Sequence, residues 1–414
     1  MTAGMVAGMV IVGAGECGTR AAFALREAGY DGTIALVGSE AHPPYERPPL
    51  SKEAMTGEQA PSIKTIADAA RLAEHRIDLR NSTTVLSIDR ANRSVRLADG
   101  SDLAYDKLLL ATGALPRKLP LQGMGGRSVC LRTFDDALLI RRHLRQGVRI
   151  AIVGGGFIGL ELAASARKLG ADVTVIEAQP RILMRGVPEE IAAVVHQAHV
   201  AEGVEIVCGD GIASMEDDGE TVRIVLSSGR TVVADLAIVG IGAVPVTALA
   251  ETAGLALNNG ISVDARLRTS DPHVFAAGDC CSFPLAVYGD RRVRLEAWRS
   301  AQEHGALAAR NMLGAEEAHA TVPWFWSDQY GLTLQIAGLP DEGDRTIRRD
   351  LGDGAFILFH LKDDGRLVAA SGIGPDNAVA RDVRLAEMLI ARSARPDLAA
   401  LASTAVKLKS LLAA

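Results

Sequence analysis

Near the start of the chain stands Gly13-Ala14-Gly15-Glu16-Cys17-Gly18, which follows the apolar run Met9–Val12. A second stretch of the same form, Gly154-Gly155-Gly156-Phe157-Ile158-Gly159, follows Arg149–Val153. Each is a G-x-G-x-x-G turn between a strand pattern and a helix pattern, and such turns bind a dinucleotide pyrophosphate at the helix N-terminus. Two of them predict a protein that holds two dinucleotides and passes electrons between them.

The acid that follows the second strand of each unit distinguishes the two ligands. Val173–Ile176 leads into Glu177, where a carboxylate accepts ribose hydroxyls and repels a 2′-phosphate, so the second unit is predicted to bind NAD(H) rather than NADP(H). Arg181 lies nearby and would weaken this preference. In the first unit Ser39 stands in the customary place and Glu40 one residue later, and either side chain could reach the ribose.

Length and composition narrow the class of protein. The 414 residues suggest two to four domains, and 48% hydrophobic residues fit parallel sheets buried on both faces. A net charge of −6 argues against nucleic acid as a partner, and no apolar run has the roughly 18–20 residues of a membrane-spanning helix. The five cysteines lack metal-type or C-x-x-C spacing. We therefore expect a cytoplasmic protein without a metal, a membrane segment or a redox dithiol.

The order of the patterns predicts an α/β protein in which one Rossmann-like domain is inserted in another. Apolar strands end at Thr112 and again before Pro245, with the second glycine turn between them. The predicted domains are residues 1–112 with 245–322, the inserted residues 113–244, and a small α+β C-terminal domain at 323–414. Alternating runs at 332–337 and 355–361 predict strands in the last domain, and residues 378–391 and 399–412 predict helices. The proline-rich residues 42–52 are expected to be stiff and extended.

Several further segments resemble the flavoprotein ferredoxin reductases that serve cytochrome P450 and Rieske-type oxygenase systems. These segments are Pro44–Lys52, Leu110–Gly113, Ile152–Glu161, Val274–Asp279 and Pro323–Tyr330. They follow the family's order over nearly the whole chain, and the last discriminates best, because disulfide reductases share the glycine turns without this loop. The resemblance implies a glutathione-reductase-like fold, with FAD in the first domain, NADH in the inserted domain and the third domain against the flavin.

The resemblance also implies which residues contact the cofactors. For FAD they are Gly13, Gly15, Cys17 and Gly18, Ser39 or Glu40, Arg47, Lys52, Val85, Arg132, Asp279 and Trp298. For NADH, the second glycine turn and the acid after its second strand already predict Gly154, Gly156, Gly159 and Glu177. Ser39 departs from the acid that is common in the family at that place.

Particular roles follow from the same resemblance. Asp279, after a strand and before an expected helix, would bind the ribitol hydroxyls; Trp298 would flank the isoalloxazine, and Val85 would contact the adenine end. Simpler roles stay open for three of these residues: Arg47 as a surface charge held by prolines, Lys52 as a helix cap, and Asp279 as an N-cap.

Flavin reduction needs no acid or nucleophile from the protein, because the cofactor carries the chemistry. Lys52 and Glu161 are the candidate catalytic residues, and we hypothesise that they form an ion pair beside flavin N5 that positions the nicotinamide and favours the anionic reduced flavin. Glu161 is placed on the first turn of its helix, where an acid is also favoured by the helix dipole alone. The resemblance implies that electrons then pass singly to a [2Fe–2S] ferredoxin serving an oxygenase.

Three other classes share parts of this pattern. An NADH oxidase or peroxidase needs a reactive cysteine soon after the first unit, and none occurs between Gly38 and Gly123. A membrane NADH–quinone reductase needs a membrane-binding tail, and the amphipathic Leu398–Ala414 is short. An NADH-binding flavoprotein of the apoptosis-inducing-factor type, acting as a redox sensor or interaction protein, shares the Arg47–Lys52 loop and is the principal alternative.

Overall fold

The structure, a computed structural model, describes residues 8–57, 59, 61–120 and 125–412. The chain divides into two compact units. The first comprises Met1–Glu46, Ile63–Leu115 and Val244–Thr321; the second comprises Arg47–Ser62, Pro116–Ala243 and Val322–Ala414. The chain passes between the units at several places, two of which lie within the strands Ala114–Pro116 and Ala243–Pro245. The predicted domain boundaries stay a prediction, and residues 1–7, 58, 60, 121–124 and 413–414 of the predicted domains lie outside the described residues.

In the first unit, the described strands include a seven-stranded sheet around the first glycine turn. Its parallel strands lie in the order Ile77–Arg80, Ile34–Val37, Gly8–Val12, Asp102–Leu110 and Val274–Ala276. Ser94–Leu97 and Val85–Asp89 continue the sheet in antiparallel fashion. Every residue of Gly8–Val12 is buried, as expected of a parallel strand that is covered on both faces.

The remaining described elements of the first unit surround this sheet. Its helices are Glu16–Glu27, Ala69–Glu74, Ala248–Thr252 and Trp298–Met312, with 3₁₀ turns at Gly278–Cys280 and Ala286–Tyr288. Its shorter strands are Ile261–Ser262, Cys281–Leu285 and Arg291–Val293. A turn at Asp99-Gly100 joins Ser94–Leu97 to Asp102–Leu110, and Gly100 has a φ of +86° there.

The second unit contains the second glycine turn on a parallel sheet of its own. Among the described strands this sheet has the order Glu205–Cys208, Asp172–Glu177, Arg149–Val153, Leu236–Val239 and Ser128–Val129. Ile212–Asp217, Val222–Leu226 and Thr231–Ala234 form an antiparallel sheet. The helices are Glu53–Thr56, Phe134–His143, Phe157–Lys168 and Glu189–Ala201, and Pro48–Ser51 is a 3₁₀ helix.

The C-terminal part of the second unit is an antiparallel sheet with helices after it. Its described strands lie in the order Trp324–Gln329, Leu332–Gly338, Leu367–Pro375, Ala355–Leu361 and Arg345–Gly352. The helices Ala380–Ala391 and Leu398–Ala402 and the 3₁₀ helices Pro340–Glu342 and Leu408–Leu412 complete it. The predicted class, two Rossmann-like α/β sheets plus a small α+β part, is confirmed.

One apolar core spans the parallel and antiparallel parts of the second unit. Leu160 and Ile191, from the Rossmann-like part, pack in the same buried cluster as Leu334 and Phe356 from the C-terminal sheet. The rings of Phe157 and Phe325, whose centroids are 5.0 Å apart, lie at its edge. This shared core holds the helix Phe157–Lys168 beside the strand Trp324–Gln329.

Two local predictions are wrong. The proline-rich segment is not extended throughout, because Pro48–Ser51 forms a 3₁₀ helix, and the fixed φ of proline suits the first position of a helix. The tail is not one helix over 399–412: the helix ends at Ala402, and Leu408–Leu412 is a separate 3₁₀ helix. There the buried Arg349 guanidinium donates to the carbonyls of Leu401, Ser403 and Val406, which replaces the bonds of a continuing helix.

Candidate active site

The first glycine turn leads from a buried strand into the helix that begins at Glu16. Gly13 has a φ of +117°, and a Cβ there would lie 2.1 Å from the Ala111 carbonyl oxygen. A Cβ at Gly18 would lie 1.9 Å from the Gly13 carbonyl oxygen. A Cβ at Gly15 would have no described atom within 4 Å, so space is open at the helix N-terminus. The turn therefore fits a dinucleotide pyrophosphate, which needs tight backbone packing and close access to free N–H groups.

Glu16 belongs to this turn and was missed by the sequence reasoning. Its Oε2 accepts a hydrogen bond of 3.0 Å from Trp298 Nε1, and its Oε1 accepts one of 2.8 Å from Gln302 Nε2. Burial raises the pKa of Glu16, and the two donors act in the opposite direction. The carboxylate thus orients Trp298, a predicted FAD contact. An acid at the first helical position was the available signal.

The residues predicted at the ribose and adenine of FAD lie at the ends of strands in the first unit. Ser39 is exposed just beyond Ile34–Val37, and Glu40 is half-buried and accepts a hydrogen bond from the Tyr45 hydroxyl. Val85 is buried at the start of its own strand. Of the two predicted ribose contacts, Glu40 is thus engaged by Tyr45, and the Ser39 side chain is the more exposed.

Asp279 does not lead into a regular helix, which corrects that expectation. It lies in the 3₁₀ turn Gly278–Cys280, and the strand Cys281–Leu285 follows directly. Its side chain is half-buried, and its carbonyl oxygen accepts from Arg294 at 3.4 Å. The turn places the carboxyl group just beyond the end of the parallel strand Val274–Ala276, the edge where doubly wound sheets bind ligands.

Cys17 is buried at the beginning of its helix, and Cys280 and Cys281 are buried as well. Burial raises the pKa of Cys17 and of Cys281 well above the ordinary value of a thiol. All five cysteines are free thiols. A protonated, buried thiol is a poor nucleophile, so the Cys17 side chain is not suited to thiol chemistry.

The second glycine turn, in the second unit, repeats the geometry of the first. Gly154 has a φ of +108°, and a Cβ there would lie 2.5 Å from the Gly240 carbonyl oxygen. A Cβ at Gly159 would lie 2.3 Å from the Gly154 carbonyl oxygen, whereas one at Gly156 would meet no described atom within 4 Å. This turn fits a second pyrophosphate for the same reasons.

Glu177 is tied to the second turn by its carboxylate. Its Oε2 accepts from the Gly155 N–H at 2.7 Å, and its Oε1 accepts from the Gln179 N–H at 2.8 Å. Arg181 points its guanidinium at its own loop, donating to the carbonyls of Ile182 and Leu183 at 3.1 Å and of Val187 at 3.0 Å. The negative charge is therefore fixed at the predicted ribose position, and the nearby positive charge is engaged elsewhere.

Arg47 and Arg132 meet in the second unit. The Arg47 Nη1 donates to the Arg132 carbonyl oxygen at 2.6 Å, and the Arg132 N–H donates to Asp136 Oδ2 at 3.0 Å. Asp136 also forms a capping box with Thr133 at the start of the helix Phe134–His143. Arg47 is therefore held by the loop that precedes this helix, and is not a free surface charge.

Lys52 is the centre of a cluster of charges in the second unit. Its Nζ lies 3.5 Å from Glu161 Oε1 and 3.4 Å from Asp328 Oδ2. The same ammonium lies 5.6 Å from the centroid of the Trp326 ring, within the range of a cation–π contact. Trp326 Nε1 donates to Asp328 Oδ2 at 3.0 Å, and Thr333 Oγ1 donates to Asp328 Oδ1 at 2.8 Å. The ammonium is thus fixed between two carboxylates and an indole.

Glu161 is nine-tenths buried and joins three separate segments of the chain. Ser51 Oγ donates to its Oε2 and Ser327 Oγ donates to its Oε1, each at 2.6 Å. Ser165 Oγ, one helical turn further on, donates to the Ser51 carbonyl oxygen at 2.7 Å. Burial raises the pKa of Glu161, while Lys52 and the two hydroxyls act against this rise. Glu161 is the fifth residue of its helix, so it lies on the second turn and not the first.

Trp324 and Trp326 stack on each other at the start of the C-terminal sheet. Their ring centroids are 5.4 Å apart, their planes differ by 21°, and both side chains are half-buried. Residues two apart on a strand lie on the same face, which accounts for the stack. The Trp326 ring, which contacts the Lys52 ammonium, therefore lies on the same face of the strand as the Trp324 ring.

The sequence reasoning missed Ser51, Ser327 and Asp328, although all three stand in the segments that carried the resemblance. Serine and aspartate are common on loops and strand edges, so residue type gave no signal. Among the described residues, no group of three His, Cys, Asp or Glu side chains is placed to hold a metal ion. Within the same residues, no helix is both long and apolar enough to cross a membrane.

Comparison with known proteins supplies the family. Residues 8–305 match the model of the pyridine nucleotide-disulphide oxidoreductases, and residues 324–412 match the reductase C-terminal model. The chain is 42% identical to the ferredoxin–NAD(+) reductase component of the anthranilate 1,2-dioxygenase system of Burkholderia cepacia, over 97% of this chain and 98% of the relative. It is 40% identical to rubredoxin–NAD(+) reductase of Pseudomonas putida, over 82% of this chain and 88% of the relative. The solved covalent complex of putidaredoxin reductase with putidaredoxin matches at a TM-score of 0.92 and 34% identity, over 99% of each chain.

These findings confirm the predicted family, fold class and cofactor pair, and they favour a reductase over a protein of the apoptosis-inducing-factor type. The two turns, each with a crowded first and third glycine and an open second one, fit the two dinucleotides of such an enzyme. The chain belongs to the pyridine nucleotide-disulphide oxidoreductases and is an oxidoreductase of the ferredoxin–NAD(+) reductase group, with FAD and NADH as its cofactors.

Proposed function

We propose that this protein oxidises NADH and passes the electrons singly to a [2Fe–2S] ferredoxin that serves an oxygenase. The observation that carries the proposal is the fixed Lys52 ammonium, held 3.5 Å from Glu161 on the helix that the second glycine turn opens. Relatives named for dioxygenase and putidaredoxin systems support the choice of acceptor. The free thiols fit a cytoplasmic location, where disulfides are rare.

The residues of the chain have separate tasks in this proposal. Gly13, Gly15, Gly18 and Cys17 hold the FAD pyrophosphate, and Ser39, Glu40, Arg47, Val85, Arg132, Asp279 and Trp298 make the other FAD contacts. Gly154, Gly156 and Gly159 hold the NADH pyrophosphate, and Glu177 accepts its ribose hydroxyls.

Lys52 and Glu161 act as one unit near the reacting rings. When bound, the two cofactors supply the chemistry, in which a hydride passes from the nicotinamide to the flavin. A preorganised ammonium stabilises negative charge that develops beside it, because the charge need not reorganise during the reaction. Glu161, Asp328 and the Trp326 ring keep the ammonium in place. The hydroxyls of Ser51 and Ser327 keep the Glu161 carboxylate in place.

The experiment mixes anaerobic holoenzyme with NADH and follows the bleaching of the flavin, then adds one of three acceptors. The acceptors are the ferredoxin of a dioxygenase system, putidaredoxin and rubredoxin. We expect flavin reduction at roughly 10 s⁻¹ or faster and turnover with the two [2Fe–2S] proteins well above that with rubredoxin. Faster turnover with rubredoxin than with the two [2Fe–2S] proteins would refute the proposed electron acceptor. Slow bleaching with a persistent charge-transfer band and no acceptor turnover would favour a redox sensor.

A further inference from the structure

A line of buried polar side chains leads away from Glu161 within the second unit. Ser327 Oγ lies 2.6 Å from Glu161 Oε1, and Gln329 Nε2 lies 3.1 Å from Ser327 Oγ. His199 Nε2 lies 2.7 Å from Gln329 Oε1, and the Tyr330 hydroxyl lies 3.2 Å from His199 Nδ1. Ser327, Gln329 and His199 are each more than nine-tenths buried.

The hydrogen-bond direction along this line is fixed once Glu161 is ionised. A carboxylate only accepts, so Ser327 must donate its single proton to Glu161. Ser327 then accepts from the amide nitrogen of Gln329, whose carbonyl oxygen must face His199. A neutral imidazole donates through one nitrogen and accepts through the other. His199 therefore donates through Nε2 and accepts the Tyr330 hydroxyl proton at Nδ1.

We propose that Gln329 and His199 are positioning residues for Glu161. Their aligned hydrogen bonds, which reach Glu161 through Ser327, hold its carboxylate ionised and in the rotamer that places Lys52. The proposal rests on the function proposed above, and it assigns work to two side chains that have no contact with Lys52 among the described bonds. Aligned hydrogen bonds in a buried environment strengthen one another, and a donor directed at a carboxylate favours its charged form.

The buried surroundings of Glu161 disfavour its charged form, so donors directed at its carboxylate matter. Burial raises the pKa of Glu161, and the groups that oppose this are the Lys52 ammonium and the hydroxyls of Ser51 and Ser327. Asp328 competes for the same ammonium at 3.4 Å. Lys52 gives the largest of these opposing effects on the Glu161 pKa, and the hydroxyls of Ser327 and Ser51 add to it.

The surroundings of His199 keep the far end of the line neutral. Burial lowers the pKa of His199, the hydrogen bond to Gln329 opposes this lowering, and the neighbouring His196 adds to it. Burial raises the pKa of Tyr330, Glu202 acts in the same direction, and Arg167 acts against them. The imidazole therefore stays unprotonated at Nδ1 and the phenol keeps the proton that it donates.

The first test reads the direction of the line without measuring activity. Holoenzyme labelled with ¹⁵N-histidine is studied by long-range ¹H–¹⁵N correlation, and the His199 signals are assigned by their loss in His199→Gln. We expect the neutral tautomer with hydrogen on Nε2 from pH 8 down to about pH 6. The tautomer with hydrogen on Nδ1, or an imidazolium at pH 7, would overturn the proposal.

The second test replaces a hydrogen-bond donor of the line, the Gln329 amide nitrogen, with an acceptor. In Gln329→Glu, the new carboxylate cannot donate to Ser327, so Ser327 turns its proton away from Glu161, and the pKa of Glu161 rises. Flavin reduction by NADH is measured against pH, and we expect its acidic limb to move upward by about one pH unit. On that limb the rate constant then falls by about tenfold at a given pH.

The matched control is His360→Gln. His360 is equally buried in the same unit, and it bonds to Ser371 at 3.1 Å and Thr346 at 3.3 Å without reaching Glu161. The acidic limb of flavin reduction in His360→Gln should lie at the wild-type pH, even if the substitution lowers the melting temperature. If the acidic limb of Gln329→Glu lies at the same pH as that of the His360→Gln control, the positioning proposal is refuted and the proposed function is unaffected. Wild-type enzyme that NADH does not bleach would refute the function itself. If Gln329→Glu does not fold, the tautomer in the wild-type protein decides.

Discussion

The Ser51 hydroxyl donates a hydrogen bond of 2.6 Å to the Glu161 carboxylate, across 110 positions of the chain. Ser51 ends the 3₁₀ helix of the proline-rich segment, and Lys52 follows it directly. One carboxylate therefore fixes both the backbone that carries the lysine and, at 3.5 Å, its ammonium. This double attachment explains how a lysine on a short, proline-bounded segment holds a defined position.

Removal of the Lys52 ammonium should slow flavin reduction more than it weakens NADH binding. We expect Lys52→Ala to lower the rate constant of reduction by roughly 10- to 100-fold, since a preorganised charge acts mainly on the transition state. Stopped-flow reduction at several NADH concentrations separates the rate constant from the dissociation constant. The control is Lys64→Ala, whose exposed ammonium pairs with Glu46 at 2.9 Å. Equal rates in the two variants would exclude a role for Lys52.

Glu177→Gln should weaken the preference for NADH over NADPH. The amide carries no negative charge to repel a 2′-phosphate, and it accepts less strongly from a ribose hydroxyl. We expect the ratio of kcat/KM values for NADH and NADPH to fall by about tenfold. NADPH should still be a poor substrate, because Arg181 is engaged by three carbonyl groups of its own loop. Glu205→Gln is the control: this acid lies on the adjacent strand and pairs with Arg230. An unchanged ratio in Glu177→Gln would contradict the assignment.

Arg349→Met should destabilise the C-terminal part, whereas Arg348→Met should not. The Arg349 side chain is 5% exposed and donates to the carbonyls of Leu401, Ser403 and Val406, which then lose their donor in a buried site. We expect the free energy of unfolding in urea to fall by about 2–4 kcal/mol. Arg348 pairs with Glu190 and Asp350 at the surface, and its loss should cost about 1 kcal/mol or less. Similar losses in both variants would show that the carbonyl contacts contribute little.

Acid should destabilise the protein partly through His360. Burial lowers its pKa from 6.5 to about 4, so the unfolded chain binds a proton that the folded chain refuses between these values. The stability that this histidine contributes is present above pH 6.5 and is lost as the pH falls toward 4. We expect the loss to be on the order of 2–3 kcal/mol in the free energy of unfolding. Urea unfolding from pH 7 to 4.5 should show a shallower slope in His360→Gln than in the wild type. Parallel slopes would mean that His360 does not drive the effect.

The two glycine turns show how much of this fold the sequence alone could predict. Gly13 and Gly154, with positive φ, and Gly18 and Gly159, where a Cβ would meet backbone, are local requirements that only glycine meets. A strand pattern before each turn and a helix pattern after it complete a signal that lies within some twenty residues. Two bound dinucleotides could be predicted for this reason, and Glu177, at a fixed distance from its turn, indicated NAD(H) for the second. The identity of the first as FAD came from the resemblance to the ferredoxin reductases.

The surroundings of Lys52 could not be predicted in this way. Glu161 was expected beside it, but Ser51, Ser327 and Asp328 carry no local pattern, and their bonds join segments more than a hundred positions apart. The prediction of one helix over 399–412 was wrong for a related reason. The helix ends at Ala402, where Arg349 from a distant strand donates to the Ser403 carbonyl oxygen.

The sequence by itself determined the elements, the two dinucleotide turns and the family, because backbone geometry and apolar periodicity act between near neighbours. The tertiary structure decided which polar groups face each other around Glu161, how Trp298 is oriented by Glu16, and where the last helix ends. The physical reason is that a buried polar group must find its partner wherever the packed core brings one within hydrogen-bonding distance.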